Sequence, residues 1–183
     1  MPIALPGFGS PAVGFEQPFE MLEACHERVR RSLALLGRLI EHIDTKGHDA
    51  QSRSAATDVL RYFDLAAPQH HLDEERHVFA TLDACDDATL AAATAGLRHD
   101  HARMDSLWAQ LRVALGAWSL PGTSGDVGAV VRQQAQAFRQ CYVAHLQTEE
   151  GVVFPAARAR MGAARLAQMS AEMQRRRRSD TPS

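Results

Sequence analysis

Two segments of this sequence repeat one pattern of histidine and glutamate. HHLDEERHVF begins at His70, and HLQTEEGVVF begins seventy-five residues later at His145. In both segments the His is followed by Glu at the fourth and fifth positions and by Phe at the ninth. Because residues four apart lie above one another on a helix, His70 pairs with Glu74 on one face. His145 pairs with Glu149 in the same way, and this combination of donors indicates a metal site.

The same offset of 75 residues relates much of the remaining chain. It superposes His101 on His26, and it also superposes large apolar residues: Phe138 on Phe63, Trp108 on Leu33 and Leu111 on Leu36. His26 and His101 each lie on a stripe of apolar residues spaced alternately three and four apart. Such a stripe is the buried face of a helix, so both histidines are predicted to point into the core.

Helix-stopping residues divide the sequence into four long helices and a short fifth. The first helix is predicted at about 18–44 and the second at about 52–82. Pro68 lies inside the second helix and should kink it just ahead of His70, whereas Pro155 should weaken or end the fourth helix.

The predicted fold class is all-α, an up-down-up-down four-helix bundle built from two tandem helical hairpins. An N-terminal arm at residues 1–17 precedes the bundle, which occupies residues 18–175 together with a short closing C-terminal helix. Residues 176–183 are predicted to form a basic disordered tail, and the run of four Arg at 175–178, where this tail begins, is interpreted as a solvated helix end.

Antiparallel pairing of these helices places six polar residues at one level of the bundle. They are His26, His70, Glu74, His101, His145 and Glu149. Inside an apolar core these groups would be costly unless they were paired or bound to metal. Imidazole and carboxylate donors favour Fe, Mn, Zn, Cu or Ni over Ca and Mg. The repeat assigns the two histidines of each hairpin to one metal ion, and it places the two glutamates to bridge the ions.

With a lone His on the first and third helices and H-x-x-x-E on the second and fourth, the sequence resembles the hemerythrin-like HHE cation-binding family over residues 18–175. The resemblance implies two non-heme iron ions bridged by carboxylates and by an oxo or hydroxo group, with Zn and Mn as alternatives. It also implies as metal ligands the same six residues that the spacing selects.

Two positions differ from the oxygen-carrying hemerythrins. Those proteins have a second His on the third helix where this chain has Leu97, and their last carboxylate is an Asp at the fifth position where this chain has Glu149 at the fourth. The missing imidazole leaves an open coordination position. The resemblance therefore implies sensing or handling of O2, NO, peroxide or iron, with a small diatomic molecule or peroxide as ligand, rather than carriage of O2.

Two other functions and one other site geometry remain open. One function is an enzyme that converts peroxide or NO, and the other is a metal-stabilised interaction domain, which the Arg-rich end slightly favours. A ferritin-like site would use the E-x-x-H pairs that begin at Glu23 and Glu74. That site needs two further inward carboxylates, and the third helix has none on its apolar stripe.

Several residues next to the candidate ligands have a different expected role. Glu75 and Glu150 are predicted to lie at the surface or to orient the ligand histidines. His77 lies one turn beyond Glu74 on the same face, so two roles are considered for it: contact with the ligand residues, or service as a spare ligand. His71 is predicted to point away from the site, and Cys141 is predicted to face it as a packing residue.

Composition limits the remaining function classes. With 20 Lys+Arg against 22 Asp+Glu, the formal charge of −2 supplies no overall basic field for nucleic acid. The N-terminal segment lacks a basic n-region and is broken by Pro and Gly, so neither a signal peptide nor a membrane span is expected. Three Cys without a C-x-x-C pair indicate reduced thiols, and we predict a cytoplasmic protein.

Overall fold

The computed structural model describes residues 14–179, and these form five helices. They are α1 (Pro18–Lys46), α2 (residues 50–83), α3 (Ala88–Trp118), α4 (residues 129–158) and α5 (Ala163–Ser179). The first four form a ring in which α1 packs on α2 and α4, and α3 packs on the same two helices. This confirms the predicted all-α bundle. No helix within residues 14–179 combines the length and the apolar character needed to cross a membrane.

Polar residues in the turns begin two of the long helices. The Asp49 side chain accepts hydrogen bonds from the backbone N–H groups of Gln51 and Ser52, and the Ser52 hydroxyl accepts one from the backbone of Asp49. Asp87 caps α3 by accepting hydrogen bonds from the next turn. These caps satisfy N–H groups that have no partner within the helix, and they keep the hairpin turns short.

Wider π-helical turns interrupt α2 and α4. Tyr62–Ala66 is such a turn, and it ends directly before the segment that contains Pro68. The Ala67 N–H bonds to the carbonyl of Tyr62, five residues back, so the helix changes its hydrogen bonding where the proline ring lacks an N–H. The irregularity predicted at this proline is therefore present, and it takes the form of a π turn.

Two more π turns occupy positions that the 75-residue repeat makes equivalent. Glu74–Phe79 widens α2, and Glu149–Val153 widens α4. Each turn begins at a candidate ligand, as π turns at functional sites often do. The second turn lies just before Pro155, and α4 continues to Arg158, so of the two expected outcomes the helix is irregular near the proline and does not end there.

The apolar core is divided into two clusters, one on each side of the histidine layer. Along α1, Leu22 belongs to one cluster and Val29 to the other, with His26 between them. Along α3, Leu97 and Met104 lie in different clusters in the same way. All four of these apolar side chains are buried. The bundle therefore holds a polar layer between two dry cores, and the layer is closed above and below by aliphatic groups.

The closing helix α5 packs on one end of the bundle. Its Met169 and Met173 are fully buried in the cluster that contains Leu22. The helix continues to Ser179, so residues 176–179 are helical where the sequence predicted a disordered tail. Residues 1–13 of the predicted arm and residues 180–183 of the predicted tail lie outside the described residues.

Two of the arginines on α5 are engaged inside the molecule. Arg176 and Arg177 both pair with Asp73 of α2, whose side chain is fully buried. Glu172 of α5 accepts hydrogen bonds from Arg76 and His77 at 3.0 and 2.8 Å. The interpretation of the whole Arg run as a solvated helix end is thus wrong for two of its members, and the support that the run lent to an interaction domain is reduced.

Candidate metal centre

Four helices bring parts of one buried cluster to the layer between the two cores. The contributions are His26 from α1, His70 and Glu74 from α2, His101 from α3, and His145 and Glu149 from α4. The most exposed of the six, His101, keeps only 4% of its surface accessible. The structure therefore brings together every residue that the sequence nominated as a ligand.

The Glu74 carboxylate lies between the two hairpins. Its Oε1 atom is 3.0 Å from His70 Nε2 and 3.5 Å from His26 Nε2. Its Oε2 atom is 3.5 Å from Nε2 of His101 in the other hairpin. One carboxylate thus faces histidines of both halves, which is the position that the repeat predicts for a bridging group.

Glu149 occupies the equivalent position from the other hairpin. Its Oε2 atom is 3.2 Å from His26 Nε2, and its Oε1 atom is 3.1 Å from His145 Nε2. The donor atoms fall into two groups of four residues, and within each group they all lie within 4.8 Å of one another. Both groups include Glu74 and Glu149, whereas each pair of histidines belongs to one group alone.

The donor atoms at the centre of the cluster fit a cation because imidazole and carboxylate electron pairs converge there. Nε2 of His26 and His70 and all four oxygens of the two glutamates are buried without hydrogen-bond partners. His101 Nε2 lies 3.1 Å from His145 Nε2. Because Glu75 accepts the Nδ1 proton of His101, a neutral His101 ring would direct a lone pair at His145. Such convergence is unfavourable unless positive charge lies between the donors.

Two further carboxylates accept hydrogen bonds from the Nδ1 atoms of His26 on α1 and His101 on α3. His101 Nδ1 donates to Glu75 Oε1 at 2.6 Å, and His26 Nδ1 donates to Glu150 Oε1 at 2.8 Å. Both bonds cross between helices, so they fix the orientation of each ring and direct its Nε2 inward. These hydrogen bonds confirm the prediction that the two glutamates orient His101 and His26.

His71 lies against the site, and the prediction that it points away is wrong. Its ring stacks on His101 with centroids 4.0 Å apart, and its Nε2 atom is 3.4 Å from the Tyr142 hydroxyl. Burial is the main reason that the pKa of His71 lies well below the usual value. The repeat contained a signal that was missed, because His71 is equivalent to Leu146, which is buried in the core.

The other neighbouring residues lie outside the cluster. His77 Nε2 is 2.8 Å from Glu172 on α5, so it belongs to the contact with the closing helix. Glu23 is exposed and pairs with Arg158 at 3.1 Å. The ferritin-like alternative required both of these E-x-x-H pairs to point inward and is therefore wrong. Cys141 is buried, as its predicted packing role requires, and belongs to neither group of donor atoms.

The glutamates set the protonation of the histidines in the metal-free cluster. Burial lowers the pKa of His26, but the adjacent carboxylates of Glu149 and Glu74 outweigh it and raise the pKa to about 9. Burial likewise opposes the ionisation of Glu74, yet the charge of His70 and the close contacts with His101 and His26 hold the pKa of Glu74 well below its usual range. A metal ion must therefore displace protons from imidazole.

These shifts predict that the metal-free protein loses stability as the pH rises from 6.5 to 9. The pKa of His26 is higher in the folded protein (about 9) than its ordinary value of 6.5, so its contribution is complete below pH 6.5 and is lost by pH 9. We expect a loss on the order of 3 kcal/mol. Urea unfolding at several pH values measures it. Zn-loaded protein, in which the ring is deprotonated, serves as the control, and a metal-free protein that gains stability over this range would contradict the assignment.

The helical bundle and its buried cluster of four histidines and two glutamates define a cation-binding protein. The chain matches the hemerythrin HHE cation binding domain over residues 17–157, and it belongs to that family. It is also similar to a Haemophilus influenzae protein described as an uncharacterized protein, with 37% identity over 68 residues. That match covers 37% of this chain and 40% of the relative, so the chain spans less than half the length of the protein it resembles.

Proposed function

We propose that the six clustered residues hold two iron ions and that the protein senses or handles O2, NO, peroxide or iron rather than carrying O2. The observation that carries this proposal is the pair of overlapping donor groups that share Glu74 and Glu149. Imidazole and carboxylate donors suit iron, and Zn or Mn would also fit them. Bound iron would supply one-electron chemistry with small oxygen and nitrogen species.

A small cavity lies next to His71, the ring that stacks on His101. A cavity of about 10 Å³ is bordered by His71, Tyr142 and Asp105 among other residues. This volume is about the least that accommodates one water-sized molecule. Leu97, at the position where oxygen carriers have His, is buried in the apolar cluster and adds no donor. None of the six candidate ligands lines the cavity of about 10 Å³, which therefore offers a water-sized space behind His71 and not at the donor atoms.

Reconstitution with iron under anaerobic conditions tests this proposal. We expect about two Fe per chain, as two sites with shared carboxylates require, and a change in near-ultraviolet absorption on exposure to air, NO or peroxide. Metal counting before and after the exposure separates ligand binding from iron release. Iron that binds at much less than two per chain, or a spectrum that responds to none of these species, would contradict the proposal.

A second candidate function is conversion of peroxide or NO, and the contact between His71 and Tyr142 favours it. Burial raises the pKa of Tyr142 well above its usual value, so the hydroxyl keeps its proton at neutral pH. It lies 3.4 Å from His71, whose ring covers His101. These side chains can hold a proton next to the cluster. Turnover of peroxide by the iron-loaded protein that falls in Tyr142→Phe would support an enzyme, whereas binding without turnover would support a sensor.

A further inference from the structure

The groups outside the donor cluster follow the 75-residue repeat only in part. Glu75 and Glu150 are equivalent in the repeat, and they make equivalent hydrogen bonds to His101 and His26. At this level the two halves of the centre are the same. The difference lies at two other positions that surround the ligand histidines.

The first difference concerns the outer nitrogens of His70 and His145. Asp100 Oδ2 lies 3.6 Å from His145 Nδ1. The equivalent residue in the other half is Cys25, which is buried. Nδ1 of His70 and Nδ1 of His145 are both buried without a hydrogen-bond partner, so Asp100 acts on His145 through its charge. One half thus has a carboxylate where the other has a thiol.

The second difference concerns the outer glutamates. Arg30 donates to both carboxylate oxygens of Glu150 at 2.7 Å and so neutralises the anion that holds His26. The repeat-equivalent residue is Asp105, an exposed carboxylate. Asp105 lies one helical turn beyond His101 on α3 and borders the same cavity as His71. The ion pair of Arg30 with Glu27, at 2.9 Å, therefore flanks one half of the centre, and the Asp105 carboxylate flanks the other.

We propose that the two halves bind metal with unequal affinity and that the half formed by His101 and His145 is the tighter one. The inference rests on the proposed function, because it requires two metal ions on the six residues. Positions 25, 27 and 30 carry no net formal charge, whereas the equivalent positions 100, 102 and 105 carry two negative charges, and this more negative set surrounds the second half. Carboxylates near a ligand imidazole raise its basicity and attract the cation, and losing one such partner weakens metal binding by about 10–100-fold.

Titration of the metal-free full-length chain with Zn²⁺ against a chromophoric chelator tests the inequality without any measurement of activity. We expect two steps that differ by about 10–100-fold in affinity. The double variant Asp100→Asn/Asp105→Asn should weaken the first step, and Arg30→Gln should strengthen the second step only. Asp86→Asn, an exposed carboxylate in the turn between α2 and α3, should change neither step.

Variants that leave one half intact identify which half fills first. His70→Ala keeps the second half and should bind one Zn²⁺ about 10–100-fold more tightly than His145→Ala, which keeps the first half. Equal affinities in these variants, the reverse order, or charge variants that leave both steps unchanged would overturn the inequality. Such results, with two Zn²⁺ still bound per wild-type chain, would leave the proposed metal site intact. Failure of the wild-type chain to bind two ions would instead overturn the proposed function.

Discussion

Replacing Glu74 by Gln should lower the metal content from about two ions to less than one per chain, because both halves of the centre depend on this carboxylate. Its oxygens lie 3.0 Å from His70 and 3.5 Å from both His26 and His101. The amide has one oxygen acceptor in place of two anionic oxygens, and its NH2 group would point at an imidazole that must donate to metal. The amide can still bond to its neighbours, so we expect the bundle to fold.

The measurement is metal counting after reconstitution with Fe²⁺ and, separately, with Zn²⁺, with circular dichroism to check the helices. Glu75→Gln provides the control, because Glu75 is adjacent in sequence but contacts only the outer nitrogen of His101. It should weaken binding by about 10-fold and still reach two ions at saturation. Two ions bound at wild-type affinity by Glu74→Gln would show that this carboxylate does not bridge, and the proposed ligand set would need revision.

The six candidate ligands could be selected from the sequence because the two halves of the chain are related by an internal repeat and can be compared with each other. A single histidine on an apolar stripe, such as His26, is not informative alone. The 75-residue offset aligns it with His101 and at the same time aligns both His-x-x-x-Glu pairs. Helical periodicity then determines which face each residue occupies. These two regularities are local, and they are sufficient to bring the residues to one layer of a bundle.

The position of His71 could not be predicted by periodicity. It follows His70 directly, and on a regular α-helix two consecutive residues point about 100° apart. The helix around it is bounded by π turns at Tyr62–Ala66 and Glu74–Phe79, which change the rotation of the residues beyond them. A π turn contains one more residue than an α-helical turn. Whether a helix can include this extra residue depends on how the neighbouring helices pack around it, and the local sequence does not specify that packing. The proline that follows the first π turn marks its place only approximately.

The contacts that α5 makes with the bundle could not be predicted from sequence patterns either. A run of four Arg at a helix end has the composition of a solvated segment, and Arg175 and Arg178 are indeed exposed. Which arginines turn inward depends on how Met169 and Met173 seat α5 on the bundle. The burial of Asp73 could not be predicted from the sequence either. A single acidic residue on a helix is normally exposed, and Asp73 is buried only because α5 covers it.

Replacing both Arg176 and Arg177 by Ala should destabilise the metal-free protein by about 3–5 kcal/mol, because it leaves a buried carboxylate without its counter-ions. Asp73 is fully buried and pairs with both guanidinium groups, and it directly precedes the candidate ligand Glu74. Urea unfolding measures the loss as a lower midpoint with an unchanged slope. The double variant Arg175→Ala/Arg178→Ala removes the same groups from the exposed side of α5 and should cost less than about 1 kcal/mol.

A double-mutant cycle separates the charge of Asp73 from the packing of the arginine stems. If the uncompensated charge causes the loss, the Arg176→Ala/Arg177→Ala change should cost much less in an Asp73→Asn background, where no buried anion remains. An equal cost in both backgrounds would assign the effect to the aliphatic stems, which also cover apolar surface. The buried pair would then be a by-product of the docking of α5 through Met169 and Met173, and the stability of the ligand-bearing segment would not depend on it.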